Sequence, residues 1–203
     1  MSKKPVIVFE GVEGSGKSYH ISYVSKYLSK KKISHIRLRE PGGCLSAEKI
    51  RTLILNNKSS FNKNTDLLLY LAARSENMEI LKKNFRKKVI LIDRFIDSTI
   101  AYQHYGFGVN INLINILNKY LLKNFTVDFT FLNLVNHSNM VKRLKIRKSL
   151  NRYDKFNNSF YKKVQNGFLK LSKKNKKKYQ IINSNLDINH NKSIIIQKID
   201  KLI

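Results

Sequence analysis

Apolar and polar positions along this chain fall into two alternating rhythms. Short, nearly unbroken apolar runs recur at 6–9, 33–38, 89–92, 127–134 and 179–183. Runs of that length predict strands buried on both faces. Between them lie stretches with helical spacing. Ile111, Ile114, Leu117 and Leu121 make one apolar stripe behind a capping Asn110, and Ile188, Ile195, Ile199 and Leu202 make another. Strands alternating with helices predict an α/β fold: a five-stranded parallel sheet flanked by helices, in three layers. No repeat, Gly/Ser or Pro linker or low-complexity tail interrupts the pattern. The 203 residues are therefore expected to form a single domain.

Composition narrows the class. A 42% hydrophobic content supports a sizeable core, yet no apolar run reaches the ~20 residues that cross a bilayer. Met-Ser-Lys-Lys-Pro leads straight into the first strand run without an apolar stretch or small-residue cleavage site, so no secretory signal is expected. Cys44 is alone, which excludes an intrachain disulfide and fits a reducing compartment; the cytoplasm is the expected location.

Charge changes the picture more. Lys and Arg number 40 against 13 acids, a formal net charge of +27. One reading is a nucleic-acid or membrane binder. The other is compositional drift, because 31 of the 40 are Lys, Asn and Ile are also abundant, and Gly, Pro and Arg are scarce. The dense runs at 82–88 and 173–178 precede strand runs and read as solvated loops, so no specific nucleic-acid partner and no membrane is expected.

Seven of the eight glycines fall in 11–16, 42–43 and 106–108, where unusual backbone geometry is therefore expected. The first of these segments is Gly11-Val12-Glu13-Gly14-Ser15-Gly16-Lys17-Ser18, which fits the G-x-x-x-x-G-K-[ST] phosphate loop at every fixed position. A strand run precedes it and a helical stretch follows. Its backbone N–H groups can converge on an anion, at a helix N-terminus whose partial charge is positive. Lys17 is expected to reach the β- and γ-phosphates of a nucleoside triphosphate, and the Ser18 hydroxyl to ligate Mg²⁺. Asp93, ending the third strand run, stands where a carboxylate completes such a metal site. Helix capping is the plainer use for it.

Further segments narrow the reaction. They are Arg39-Glu40-Pro41-Gly42-Gly43, Leu68-Leu69-Tyr70-Leu71-Ala72-Ala73-Arg74, and Asp93-Arg94-Phe95-Ile96-Asp97-Ser98-Thr99-Ile100-Ala101-Tyr102-Gln103. Arg143, Arg147 and Arg152 punctuate a later basic stretch. With the Phe-Glu-Gly opening of the phosphate loop, these resemble the thymidylate kinase family of its bacterial type, in order and spacing, over nearly the whole chain.

The resemblance implies a P-loop kinase moving the γ-phosphate of ATP onto dTMP, with Mg²⁺, as a homodimer, with a lid at about 143–156. It implies roles for individual residues. Arg94 would bind transferring phosphate oxygens, and Arg39, Pro41 and Arg51 would lie near the acceptor phosphate, although Arg39 and Arg51 read equally as surface ion pairs. Tyr70 would stack on thymine, Arg74 and Gln103 would hydrogen-bond the base, Thr99 would assist, and Tyr102 would crowd a ribose 2′-OH. The last two tyrosines also suit ordinary core packing. Glu13, an acid inside an anion-binding loop, would lie near the acceptor's sugar and phosphate. Gly14 stands where another family type has Arg, so Arg143 and Arg147 of the lid would supply that charge, Arg147 as a catalytic group. A cis Glu40–Pro41 bond is expected on the same ground.

Three positions depart from the family pattern: Asn133 for Asp, Val127 for Pro, and Phe107 for Arg. The five histidines, His20, His35, His104, His137 and His190, show no metal-ligand spacing. Two other readings remain open here. One is another P-loop enzyme such as a deoxynucleoside kinase, against which Arg-Glu-Pro-Gly-Gly speaks. The other is a basic nucleic-acid-binding ATPase, which only charge supports.

Overall fold

A computed structural model describes residues 3–147 and 149–203. Met1, Ser2 and Lys148, the last inside the expected lid, lie outside the described residues. Five strands form one sheet: β1 (Val6–Glu10), β2 (His35–Arg39), β3 (Val89–Asp93), β4 (Phe129–Leu134) and β5 (Tyr179–Asn183). All pair in parallel, in the order β2-β3-β1-β4-β5. The helices are α1 (Lys17–Lys30), α2 (Leu45–Leu55), α3 (Lys63–Asn84), α4 (Ile96–Thr99), α5 (Ile111–Leu122), α6 (His137–Lys145), α7 (Asn158–Lys174) and α8 (Ile188–Leu202). This is the P-loop NTPase architecture.

The unbroken apolar runs have a simple cause, since both faces of the sheet are covered. Ile7, Phe9, Leu91, Phe129 and Phe131 pack against Ile21, Val24 and Leu28 of α1 and Ile195 and Ile199 of α8. The alternate residues Val6, Val8, Ile90 and Ile92 meet Met78 and Leu81 of α3 and Leu122 of α5. Each such side chain contributes about 1.5–3 kcal/mol on burial. Phe9 and Phe131 stack with centroids 5.1 Å apart, and truncating either to Ala would cost about 3–5 kcal/mol.

Two strands start later than the apolar runs suggest. Ile33 donates its N–H to Leu28 O and closes the end of α1, so β2 begins at His35. Asp128 uses its side chain to accept from Val6 N at 2.8 Å and Arg86 Nη1 at 2.5 Å, which delays β4 to Phe129. The spacing of 100–106 did not announce its form either: α4 continues there into wide π-helical turns.

Successive strands are laid first on one side of β1 and then on the other. That reversal opens a crevice beyond the carboxyl ends of the strands, the usual ligand position in open α/β sheets.

Candidate active site

The glycine-rich loop leaves β1 with Gly11 at φ 138°. A Cβ there would lie 2.2 Å from Asn133 O and 2.8 Å from Ser15 Oγ, so glycine is required both by torsion and by space. Gly16, at φ 87°, starts α1 without a side-chain cap. Helices α3, α5, α6, α7 and α8, by contrast, are each capped by an Asn or Asp side chain. The first N–H groups of α1 thus have no capping side chain competing for them at the mouth of the loop.

Lys17 curls back over the loop, donating to Val12 O at 2.8 Å and Ser15 Oγ at 3.3 Å. Burial, with Arg94 adding to it, lowers its pKa to about 7. An anionic phosphate in the cradle acts the other way and restores the ammonium. Ser18 Oγ donates to Asp93 Oδ2 at 2.8 Å. Two oxygens on neighbouring vertices of an octahedron with 2.0–2.1 Å bonds stand about 3 Å apart, so this pair fits two ligand positions of a Mg²⁺ ion whose remaining ligands are water and phosphate. Among the described residues no group of three or more His, Cys, Asp or Glu is placed to hold a metal.

Arg94 follows Asp93 with φ 68°, an uncommon torsion for a non-glycine residue. It turns the side chain over the loop, where Nη1 donates to Gly11 O at 2.8 Å and Ser98 Oγ at 3.2 Å, and Nη2 to Glu13 Oε1 at 2.7 Å. Glu13 also accepts from the Tyr102 hydroxyl at 2.5 Å. The acid in the anion loop therefore has specific partners: it fixes an arginine and a tyrosine side by side.

These groups floor a cavity of about 240 Å³. Glu13, Lys17, Ser18, Asp93 and Arg94 line its base, with Arg39, Pro41, Arg51, Tyr70, Tyr102, Gln103 and Arg147 around it. The Glu40–Pro41 bond is cis, as the sequence led one to expect. Arg39 makes a two-pronged bond to Glu48, 2.9 and 2.7 Å, and Arg51 donates to Pro41 O at 2.6 Å. Both readings of Arg39 thus coexist: it is a surface ion pair and it borders the cavity. Gln103 is 1% exposed, and neither its Oε1 nor its Nε2 has a hydrogen-bond partner among the described residues. A buried amide left open on both ends costs stability unless something fills it.

Of the phosphate loop, Gly11, Val12, Gly14, Ser15 and Gly16 shape the turn without lining the cavity, and four expected residues beyond the loop also lie elsewhere. Arg74 and Thr99, each 1% exposed, are not in the lining. Arg74 Nε donates to Glu40 at 2.8 Å, Nη1 to Asn118 at 2.6 Å and Nη2 to Thr99 Oγ1 at 2.9 Å, so both stand behind the wall and brace it. Arg143 clamps Gly14 O at 2.9 Å and Ser184 O at 2.6 Å, beside the loop rather than in the cavity. Arg152 bonds Asp66 and donates to Ile54 O at 2.9 Å, tying the expected lid to α2 and α3.

Other lining residues were not singled out from the sequence. Tyr153 donates to Asp66 and packs edge-on to Tyr70 and Tyr102, with centroids 5.9 and 5.8 Å away. Phe107, the departure from Arg, joins the same aromatic group through Phe156 and Phe160. Ser98, Arg37 and Asn151 also reach the cavity. Only Ser98 had a signal, its place five residues after Asp93.

Comparison with known proteins agrees with this geometry. The thymidylate kinase family profile matches residues 9–195. A thymidylate kinase of Mycoplasma capricolum subsp. capricolum is 38% identical over 202 residues, covering 95% of each chain. One of Acholeplasma laidlawii is 36% identical over 200 residues, covering 96% of this chain and 98% of that protein. The crystal structure of thymidylate kinase from Ehrlichia chaffeensis superposes with a TM-score of 0.79 at 31% identity, covering 98% of this chain and 99% of the other.

Proposed function

The chain belongs to the thymidylate kinase family, and from that premise we propose how its cavity moves the γ-phosphoryl group of ATP onto dTMP. The observation that most supports this reading is the open amide of Gln103 in the cavity floored by Lys17 and Arg94. One end is built for phosphate, and the other offers a donor and an acceptor to a flat heterocycle beside the Tyr70 ring.

The acceptor phosphate is already anionic near neutral pH, so no strong base is needed. One of its oxygens forms the new bond to the γ-phosphorus as the β–γ bridging bond breaks and ADP leaves. The protein's part is positioning and charge neutralisation. The loop N–H groups and Lys17 hold the donor phosphates. Arg94, fixed between Gly11 O, Ser98 and Glu13, stands between donor and acceptor. Ser18 and Asp93 would hold Mg²⁺, which supplies neutralising charge to the donor phosphates. Arg147 enters from the lid, taken as residues 143–156 of one domain, and closure excludes water. Arg39 and Arg51 receive the acceptor phosphate, Tyr102 fills the space beside the sugar, and Arg74 and Thr99 act on the base end through the wall they brace. Arg143 serves the ATP side by clamping the loop at Gly14 O.

The enzyme is read as a cytoplasmic homodimer. Leu53 of α2, Leu68 of α3 and Ile116 of α5 are 52–65% exposed on neighbouring helices, which supports burial against a second copy. Light scattering of the purified protein checks it. No described helix is long and apolar enough to cross a membrane.

The test of function is a coupled assay with ATP and each of dTMP, dUMP, TMP and thymidine. dTMP is expected to be the best acceptor. Another acceptor with a tenfold higher kcat/KM, about 1.4 kcal/mol of transition-state preference, overturns that assignment, and thymidine as the winner would favour a deoxynucleoside kinase.

A further inference from the structure

Residues 3–4, 30–32, 82–88, 119–123 and 173–178 hold seventeen of the forty Lys and Arg in 23 residues, with no Asp or Glu among them. Uniform drift toward lysine would not concentrate cations in this way. Each segment lies just before one of the five strands, and the strands are all parallel. The topology therefore gathers all five segments at the amino ends of the strands. The cavity lies at the other end, about 16 Å away along five residues of strand.

Contacts within and beside the segments lie together at this end of the sheet. Lys4 pairs with Arg86 through a backbone bridge, Lys178 Nζ reaches Val127 O at 3.3 Å, and Val89 N bonds Ser34 O at 3.1 Å. Nearby carboxylates offset only a few of the seventeen cations: Asp128 pairs with Arg86 and Asp200 with Lys31, and Glu79 stands one helical turn before Lys83. Helix macrodipoles favour a cation or two in each last turn. They do not account for runs such as 173–178, which continue past the end of α7.

We propose that this basic end face is a docking surface for the phosphate backbone of nucleic acid, engaged without base readout and without blocking the cavity. Five strands at ~4.8 Å spacing give a face ~19 Å wide, along which duplex DNA presents ~11 charges at one per ~1.7 Å. Membrane docking calls for several apolar anchors. Tyr120, 74% exposed, is the one strongly exposed large apolar side chain within these segments. The cations are nearly all Lys, which suits diffuse phosphate contact rather than two-pronged base recognition.

The test measures binding of a duplex of about 30 base pairs of arbitrary sequence, across salt concentrations, with three proteins. One is unaltered. One carries Lys82→Gln, Lys83→Gln, Lys176→Gln and Lys177→Gln, all exposed end-face positions. The third carries Lys49→Gln, Lys58→Gln, Lys162→Gln and Lys163→Gln, equally exposed but outside the end face. The end-face variant is expected to bind at least tenfold more weakly at about 150 mM salt, with a salt slope shallower by ~0.9 for each phosphate no longer neutralised. The other variant should change less than threefold. Kinase activity of the end-face variant and duplex affinity with ATP and dTMP present should both stay within twofold. Equal losses in both variants, no binding at about 150 mM salt, or displacement by substrates each overturns the proposal. Tighter binding to phosphatidylserine vesicles than to the duplex, lost in the end-face variant, assigns the face to membranes instead.

Discussion

Arg94 and Arg147 border the same cavity, but the fold holds them differently. Arg94 has three fixed partners, Gly11 and Glu13 on the phosphate loop and Ser98 on α4, and its side chain is 17% exposed. Among the described residues Arg147 has one side-chain partner, Asp154, seven residues along its own segment at 2.7 Å, and its side chain is 40% exposed. A group locked in place costs no reorganisation when charge develops beside it. A group tethered to its own segment can travel with that segment and arrive only on closure. Arg94 should therefore act on bound substrate and transition state together, and Arg147 on the transition state alone.

The largest effect is expected from Arg94→Ala. kcat should fall by at least a hundredfold, roughly 2.7 kcal/mol. KM for dTMP should rise as well, because Arg94 would touch the acceptor phosphate before and during transfer. Steady-state rates with dTMP and ATP varied in turn measure both. An unchanged KM with a depressed kcat would make Arg94 behave like a lid residue and erase the distinction.

Arg147→Ala should come next, with kcat down roughly a hundredfold and KM for dTMP nearly unchanged. If kcat stays near normal, Arg147 is not the catalytic arginine, and Arg152 and Arg143 are tested in turn. Both already have structural bonds, to Asp66 and to Gly14 O, so loss of thermal stability in those variants, absent in Arg147→Ala, would separate bracing from catalysis.

The same contrast explains what could be read from the chain. The floor comes largely from a contiguous motif, whose spacing places Gly11, Lys17 and Ser18, while Asp93 was marked by its place at the end of an apolar run. Fully covered parallel strands read directly as apolar runs. The walls depend on contacts across long separations. Nothing local says that Arg74 spends its donors on Glu40, Asn118 and Thr99, or that Tyr153 meets Asp66, 87 residues away. The π-helical turns at 100–106 pack against α7, and only the glycines at 106 and 108 marked that stretch as unusual.

The smallest expected effect concerns what stands behind Arg94. Glu10, 1% exposed, accepts from Phe95 N at 2.8 Å, Ser98 N at 3.2 Å and Ser98 Oγ at 2.5 Å. Ser98 Oγ in turn accepts from Arg94, so a buried carboxylate supports the locked arginine through one hydroxyl. Burial pushes the Glu10 pKa up to about 7, with Asp97 adding to it and Ser98, Arg94 and the Phe95 N–H opposing. Asp97, itself raised by burial, accepts from Tyr179 at 2.7 Å. An acid whose folded pKa lies above its unfolded value binds more protons when native. Its contribution is whole below pH 4.5 and is lost as pH rises through about 7. Full linkage would be about 3 kcal/mol, and sharing with Asp97 makes about 1–2 kcal/mol the expected size. Lys17 and His20, lowered by burial, contribute in the opposite direction. The informative quantity is therefore the difference between wild type and Glu10→Gln, which keeps an acceptor for the N–H groups but no proton to lose. Urea unfolding at pH 5, 6, 7 and 8 should show the wild type losing stability relative to the variant as pH rises. If the two run parallel, Glu10 stays ionised throughout. The support for Arg94 is then a fixed charge, the locked arginine answers to pH no more than the tethered one, and kcat of Glu10→Gln should fall at every pH rather than at the alkaline end alone.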